Sequence, residues 1–155
     1  FRVMTFREPP DHVGYLIGDV SRMLRTVYDR RVEPLGLTRA QWLVLARISR
    51  IEGCTQTELA AELEIKKPTL GKLLERLEEK MWVTRRSDSN DARSKRGFLT
   101  KRAGPVLDEM FSLADEVLDA AISGLNRKEA DELNAALLQV KSNLSKLLNL
   151  DGRPG

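Results

Sequence analysis

The sequence predicts a mainly α fold carrying one small β-hairpin, and three observations lead there. Apolar residues recur at helical spacing through six stretches of the 155 residues. Only two short β-prone runs interrupt them, Trp82-Val-Thr84 and Phe98-Leu-Thr100, with a polar loop between. Charge is also sorted along the chain. Residues 66–102 hold twelve Lys and Arg against five Asp and Glu, a net of +7, while residues 1–65 balance at nine each. Residues 103–155 carry five against nine.

Pro9-Pro10 blocks any helix before it, and Asp11 is the expected N-cap of the first one. Val13, Ile17, Val20, Leu24 and Val27 form one stripe, so Asp11 to about Val32 reads as a long helix. Pro34-Leu-Gly36 stops it. Thr38-Arg-Ala-Gln41 is a capping box, in which the hydroxyl takes one free amide and Gln41 reaches back to the cap. The helix it starts runs to about Ile51, with Trp42, Leu45, Ala46 and Ser49 along one side, and Glu52-Gly53 ends it. Thr55-Gln-Thr-Glu58 is a second box, with Cys54 and Leu59 set to form a hydrophobic staple. Its helix is short, Gln56 to about Leu63, and Glu64-Ile-Lys-Lys67 turns into the next.

Pro68 suits a first helical turn, where its missing N–H costs nothing. Leu70, Leu73, Leu74, Leu77 and Met81 then make one apolar stripe. At 100° per residue Thr69, Lys72, Arg76 and Lys80 share a neighbouring stripe, and Glu75 and Glu78 lie round the other flank. The two β-prone runs follow around Ser87-Asp-Ser-Asn-Asp91 and read as a hairpin. Two short helices joined by a tight turn, the second one basic, make a helix-turn-helix, and the hairpin behind makes it a winged one. Basicity gathered on one helix and its hairpin is the footprint of a nucleic-acid binder.

Val106, Met110, Leu113, Val117 and Ala121 describe a helix from Pro105 to about Ser123, which Gly124 ends. Asn126-Arg-Lys-Glu129 caps a last helix whose leucines run on to about Leu150, and Asp151–Gly155 is a frayed tail. These two helices and the first have more apolar surface than a small DNA-binding unit can cover. Residues 1–35 and 103–155 are therefore expected to form a helical dimerisation lobe, and residues 36–102 a winged helix-turn-helix DNA-binding domain. The alternative is that the helices fold back on their own chain.

No apolar run approaches the roughly 20 residues a membrane span needs. No secretory pattern opens the chain, and its first residue is Phe, so the natural N-terminus is expected upstream. One cysteine excludes an internal disulfide framework and suits a reducing, cytoplasmic setting. One histidine and one cysteine leave little for a metal site or a His-based triad. No convergent carboxylates stand out, so no catalytic residue, metal or cofactor is expected. A module binding an acidic protein through its basic face is the competing class.

Residues 36–102 closely resemble the MarR family of bacterial transcriptional regulators. The resemblance is carried by Gly36-Leu-Thr-Arg-Ala-Gln-Trp42, Thr55-Gln-Thr-Glu-Leu-Ala60, Lys67-Pro-Thr-Leu70, Leu77-Glu-Glu-Lys80 and the wing Asn90-Asp-Ala-Arg93 leading to Leu99-Thr100. The Asp-x-Arg wing followed by Leu-Thr is its most specific part. It implies a homodimer on a pseudo-palindromic operator in double-stranded DNA, a repressor by family habit. Each recognition helix would enter a major groove and each wing a minor groove, with small molecules or oxidants releasing the DNA. Met81 departs from the pattern, since the family often closes this helix with a left-handed Gly. Met there costs about 1 kcal/mol, so the exit to the wing is expected to differ. Ala103 likewise stands where Gly commonly follows Leu-Thr-x-x.

Lys72 and Arg76, with Thr69, are expected in the groove, where they contact bases or phosphates. Lys66 and Lys67 are assigned to phosphate, and Gly71 to close backbone approach or to no role. Arg93 suits a narrow minor groove of enhanced negative potential. Asp91 either holds Arg93 or a nearby Arg by a charge-assisted bond or is a plain turn former. Arg86, Lys95 and Arg96 read as phosphate contacts or solvated charges. Cys54, before a helix start, is a redox sensor or a small buried hydrophobe. His12 reads as a helix-start or interface residue. For the small aromatic or anionic effector that the resemblance implies, Tyr15, Asp19 and Arg22 on the first helix and Trp42 on the next are the expected site. Its plainer alternative puts Trp42 in the core and Arg22 in a salt bridge.

Overall fold

The computed structural model describes residues 11–91 and 93–150, which leaves Pro9-Pro10, Ala92 of the wing motif and the Asp151–Gly155 tail outside the described residues. The architecture is mainly α with one antiparallel hairpin, as the periodicity predicts. Its elements are α1 (Val13–Val32), α2 (Arg39–Arg50), α3 (Gln56–Glu62) and α4 (Lys67–Glu79). Strands β1 (Val83–Ser87) and β2 (Lys95–Leu99), then α5 (Gly104–Ala121) and α6 (Arg127–Leu150), complete the order.

Caps set most boundaries. The Thr38 box closes with both bonds, Gln41 N–H to the Thr38 hydroxyl at 3.2 Å and Thr38 N–H to the Gln41 side-chain Oε1 at 3.1 Å. The Thr55 hydroxyl accepts the Glu58 N–H at 3.0 Å. Asn126 and Glu129 exchange two bonds, each of 2.9 Å, at the start of α6. At α1 the cap is His12 and not Asp11. The His12 Nδ1 accepts the Gly14 N–H at 2.9 Å, the second amide of the helix.

The exit from α4 also differs from expectation. Met81 adopts the left-handed conformation, with φ 62°, despite its side chain. The Trp82 N–H reaches back to the Leu77 carbonyl at 3.0 Å and the Met81 N–H to Glu78 at 2.8 Å, which closes a Schellman motif. These bonds satisfy carbonyls that would otherwise be orphaned at the helix end, and they outweigh the Cβ penalty. Because α4 stops at Glu79, Met81 falls off the apolar stripe and is half exposed. Glu64 ends α3 in the same way, with φ 53° and the Ile65 N–H on the Ala60 carbonyl.

The core runs through both ends of the chain. Val44, Leu45 and Ile48 of α2, Leu70, Leu74 and Leu77 of α4 and Met110 of α5 are fully buried together. Each such aliphatic side chain contributes about 1.5–3 kcal/mol over leaving it in water. The Tyr28 hydroxyl donates to the Met110 carbonyl at 2.9 Å and pins α1 to α5. Ala103 is fully buried just before α5, so its methyl is part of the packing.

The strands pair from Val83 opposite Leu99 to Ser87 opposite Lys95, beyond the two β-prone runs. Ladder bonds need only backbone, so the pairing continues through Arg85-Arg86 and Lys95-Arg96. The loop before α3 also docks on β2: Gly53 N–H donates to the Gly97 carbonyl at 2.9 Å, and Gly97 N–H to the Cys54 carbonyl at 3.0 Å. A Cβ on Gly97 would meet Ile48 at 3.2 Å, and one on Gly53 would meet the Phe98 ring at the same distance. Gly53 also has φ +80°, so both contact and conformation favour glycine there.

α6 is different. Its described side chains are exposed apart from half-buried Ala130, including Leu133, Leu137, Leu144 and Leu148. Val13, Leu16, Ile17, Val20 and Met23 of α1 are exposed as well. α6 and the first half of α1 therefore leave their apolar residues uncovered by the described chain, while the second half of α1 packs on α5.

Candidate nucleic-acid interface

The buried stripe of α4 fixes which side chains it shows to solvent. With Leu70, Leu74 and Leu77 inward, Lys66, Lys67, Thr69, Lys72 and Arg76 are all exposed. Gly71 is half-buried, and a Cβ there would meet nothing within 4 Å, so the chain's own packing does not require glycine. On the wing Arg86, Arg93 and Lys95 are exposed. The Arg86 guanidinium lies 4.4 Å from the Phe98 ring centroid, and the Lys95 ammonium donates to the Ser87 hydroxyl at 3.1 Å.

Three other cations of residues 66–102 are engaged by the chain itself, Lys80 while remaining exposed. Lys80 donates to the Gly36 carbonyl at 3.3 Å and lies 4.8 Å from the Trp82 ring centroid. Arg85 donates through Nε to Glu78 at 2.6 Å and through Nη1 to Gln56 at 3.4 Å, which joins β1 to α4 and α3. Arg96 is partly exposed but held within the chain. Its Nη1 donates to the Gly53 carbonyl at 2.7 Å and its Nη2 to Asp88 at 2.9 Å.

Asp91 acts on backbone. Its carboxylate accepts the Arg93 N–H at 3.0 Å, and its carbonyl accepts the Ser94 N–H at the same distance. That is the turn-forming reading of Asp91, in place of a bond to an Arg side chain. The charge-assisted bond belongs to Asp88, which sequence reasoning passed over. The Asn90 N–H and the Arg96 guanidinium hold the Asp88 carboxyl below its ordinary range.

The expected effector residues do not converge. A crevice of about 300 Å³ between α1, α2 and α5 is lined by Leu24, Arg25, Tyr28, Trp42, Ala46, Phe111, Ala114, Val117 and Leu118. Trp42 is in it, whereas Tyr15, Asp19 and Arg22 are not. Those three sit on exposed, earlier turns of α1, where Arg22 pairs with Asp19 at 3.4 Å. Arg25 and Tyr28, one to two turns further on, line the crevice instead. Their only sequence signal was their place beside Leu24, where the stripe of α1 first becomes partly buried.

Cys54 is buried, and burial first, then the charge of Glu58, pushes its thiol up from the ordinary value. A thiol held protonated is a poor nucleophile, which favours the small-hydrophobe reading over the redox one. Among the described residues no helix is long and apolar enough to cross a membrane, and no group of three His, Cys, Asp or Glu is placed to hold a metal.

Comparison with known proteins agrees with this geometry. A MarR family profile matches residues 35–94. The transcriptional regulator PA3341 is 33% identical, with 87% of this chain and 99% of that one covered and a TM-score of 0.75. MarR from E. coli, in its apo form, is 26% identical over 86% of this chain and 98% of its own, also at TM-score 0.75. The same fold recurs, at 22% identity and TM-score 0.76, in a MarR family transcriptional regulator from Listeria monocytogenes complexed with 26mer DNA. That match covers 94% of this chain and 98% of the other. Members of this family are transcriptional regulators, not enzymes. With its basic helix, its wing and these relatives, the chain belongs to the MarR family: it is a DNA-binding transcriptional regulator.

Proposed function

We propose that the protein works as a homodimer, a repressor that grips a pseudo-palindromic operator and lets go when a small molecule binds. One observation carries this reading: exposed cations lie on α4 and the wing, while exposed apolar side chains lie on α1 and α6. The first surface suits a phosphate backbone and the second a copy of itself. Residues 1–35 and 103–155 then form the dimerisation lobe and residues 36–102 the DNA-binding lobe, around a shared core.

In this reading α4 enters the major groove, with Thr69, Lys72 and Arg76 towards base edges and Lys66 and Lys67 on phosphate. The wing presents Arg93 to the minor groove, with Arg86 and Lys95 beside the backbone. Two such grips need centres about 34 Å apart on one duplex. The crevice holding Arg25, Tyr28 and Trp42 is the effector site. A guanidinium beside aromatic rings suits an aromatic anion, which lowers DNA affinity by its preference for another spacing of the grips.

Fluorescence anisotropy on an operator duplex tests the reading. That duplex is selected by the full-length protein from a random-sequence pool. Log affinity should fall steeply and linearly with log salt, and Arg93→Ala should weaken binding about tenfold with the dimer intact in sedimentation. A flat salt dependence contradicts phosphate neutralisation, and an unchanged Arg93→Ala removes the wing.

A further inference from the structure

The wing loop owes its pose to a link that crosses from the hairpin to the helix-turn-helix. Arg96, on β2, is opposite Arg86 in the register, and the two differ in what they touch. Arg86 lies over the Phe98 ring on the same face of the hairpin. Arg96 bridges two elements through separate nitrogens, with the Gly53 carbonyl on one at 2.7 Å and Asp88 on the other at 2.9 Å. Gly53 lies before α3, and β2 is already docked there by the Gly53–Gly97 and Gly97–Cys54 backbone bonds.

Asp88 fixes the other end. One of its oxygens takes the Arg96 guanidinium, and the other takes the Asn90 N–H at 3.1 Å. Its own N–H donates to the Ser94 carbonyl at 2.9 Å, which closes the loop that carries Asn90, Asp91 and Arg93. A charge-assisted bond of this kind is stronger than a neutral one, and this pair is partly shielded from water. A carboxylate on a DNA-facing loop also repels phosphate, so its place here calls for a compensating role.

We propose that Arg96 and Asp88 are positioning residues for DNA binding, which set the wing loop against the helix-turn-helix so that Arg93 meets the groove already oriented. The inference rests on the proposed role of Arg93. Both residues act through the loop and neither touches the duplex. An ordered loop loses less conformational freedom on binding, so the link acts on affinity through preorganisation.

Anisotropy on the selected operator duplex, with full-length Arg96→Gln, Asp88→Asn, Arg93→Ala and the two double variants, tests this. Asp88→Asn keeps an oxygen for the Asn90 N–H and removes only the charge that Arg96 needs. On charge alone it should tighten DNA binding. Positioning requires the opposite: Asp88→Asn and Arg96→Gln each weaken binding about tenfold, and neither adds to the loss in Arg93→Ala. Thermal melting identifies a variant that fails to fold, and the Asp88→Asn arm then carries the test. Tighter binding by Asp88→Asn, or losses additive with Arg93→Ala, overturns the inference and leaves the wing reading standing. An Arg93→Ala variant with full affinity overturns both.

Discussion

The indole N–H of Trp42 donates to the Asp29 carboxylate at 2.8 Å, and the Nε of Arg39 donates to its other oxygen at the same distance. The bond ties α2 to α1, while the ring of Trp42 lies edge-on to Tyr28 with centroids 4.6 Å apart and lines the crevice. One side chain thus belongs to a structural anchor and to a cavity wall.

The anchor has a pH signature. Burial by itself would raise the Asp29 carboxyl, but bonds from Arg39 and Trp42 and the charges of Arg39 and Arg25 together take it below its ordinary 3.8. A carboxyl lowered on folding stabilises fully above its unfolded value, and that contribution is lost as pH falls through the lower, folded one. The stability gap between wild type and Asp29→Asn should therefore be widest near neutrality and shrink below about pH 4. Parallel melting curves across that range would rule out the anchor.

The crevice should report through fluorescence. The chain has two tryptophans, so a Trp82→Phe background isolates Trp42. Benzoate, as an aromatic anion probe, should change Trp42 emission and weaken DNA binding. Arg25→Ala should raise its dissociation constant about tenfold, the scale of one charge-assisted contact. If Arg25→Ala leaves the titration unmoved, the anion is held elsewhere.

Met81 offers a stability test. The left-handed backbone costs a residue with a Cβ about 1–2 kcal/mol, and glycine returns roughly 0.5–1 kcal/mol of that through its freer unfolded chain. Met81→Gly should raise the melting temperature by about 2–3 °C for a chain of this size. A lower melting temperature would mean that the side chain contributes more than its strain.

Cys54 should be inert. Its thiol is buried and shifted upward, so a native sample at pH 7.5 should resist iodoacetamide and react only after denaturant is added. DNA binding that survives millimolar hydrogen peroxide would agree. Fast native alkylation would reopen the redox reading.

Local chemistry was legible from sequence and long-range pairing was not. The Thr38, Thr55 and Asn126 caps depend on residues three apart: the Thr38 and Asn126 boxes close with both bonds, and Thr55 forms the hydroxyl half of its box. The stripe of Leu70, Leu74 and Leu77 was likewise set by helical geometry. Nothing local distinguishes Arg96 from Arg86, because the partner that turns Arg96 inward is a carbonyl 43 positions away. Choosing between Asp88 and Asp91 needed the hairpin register. The crevice needed the packing of α1 on α5, which brings Phe111 across from Arg25. Met81 shows local propensity yielding to backbone bonds at a helix end.

The longest described helix, α6, leaves its described side chains exposed apart from half-buried Ala130, so in the proposed dimer part of its order comes from another molecule. If, as proposed, a second copy supplies that neighbour, mass action links how ordered α6 is to how much protein the cell holds. Scarcity then acts twice, thinning the supply of competent pairs and loosening each protomer that remains. Occupancy of an operator would fall off more sharply than the protein's abundance, so a modest change in synthesis or turnover becomes a switch in its own right.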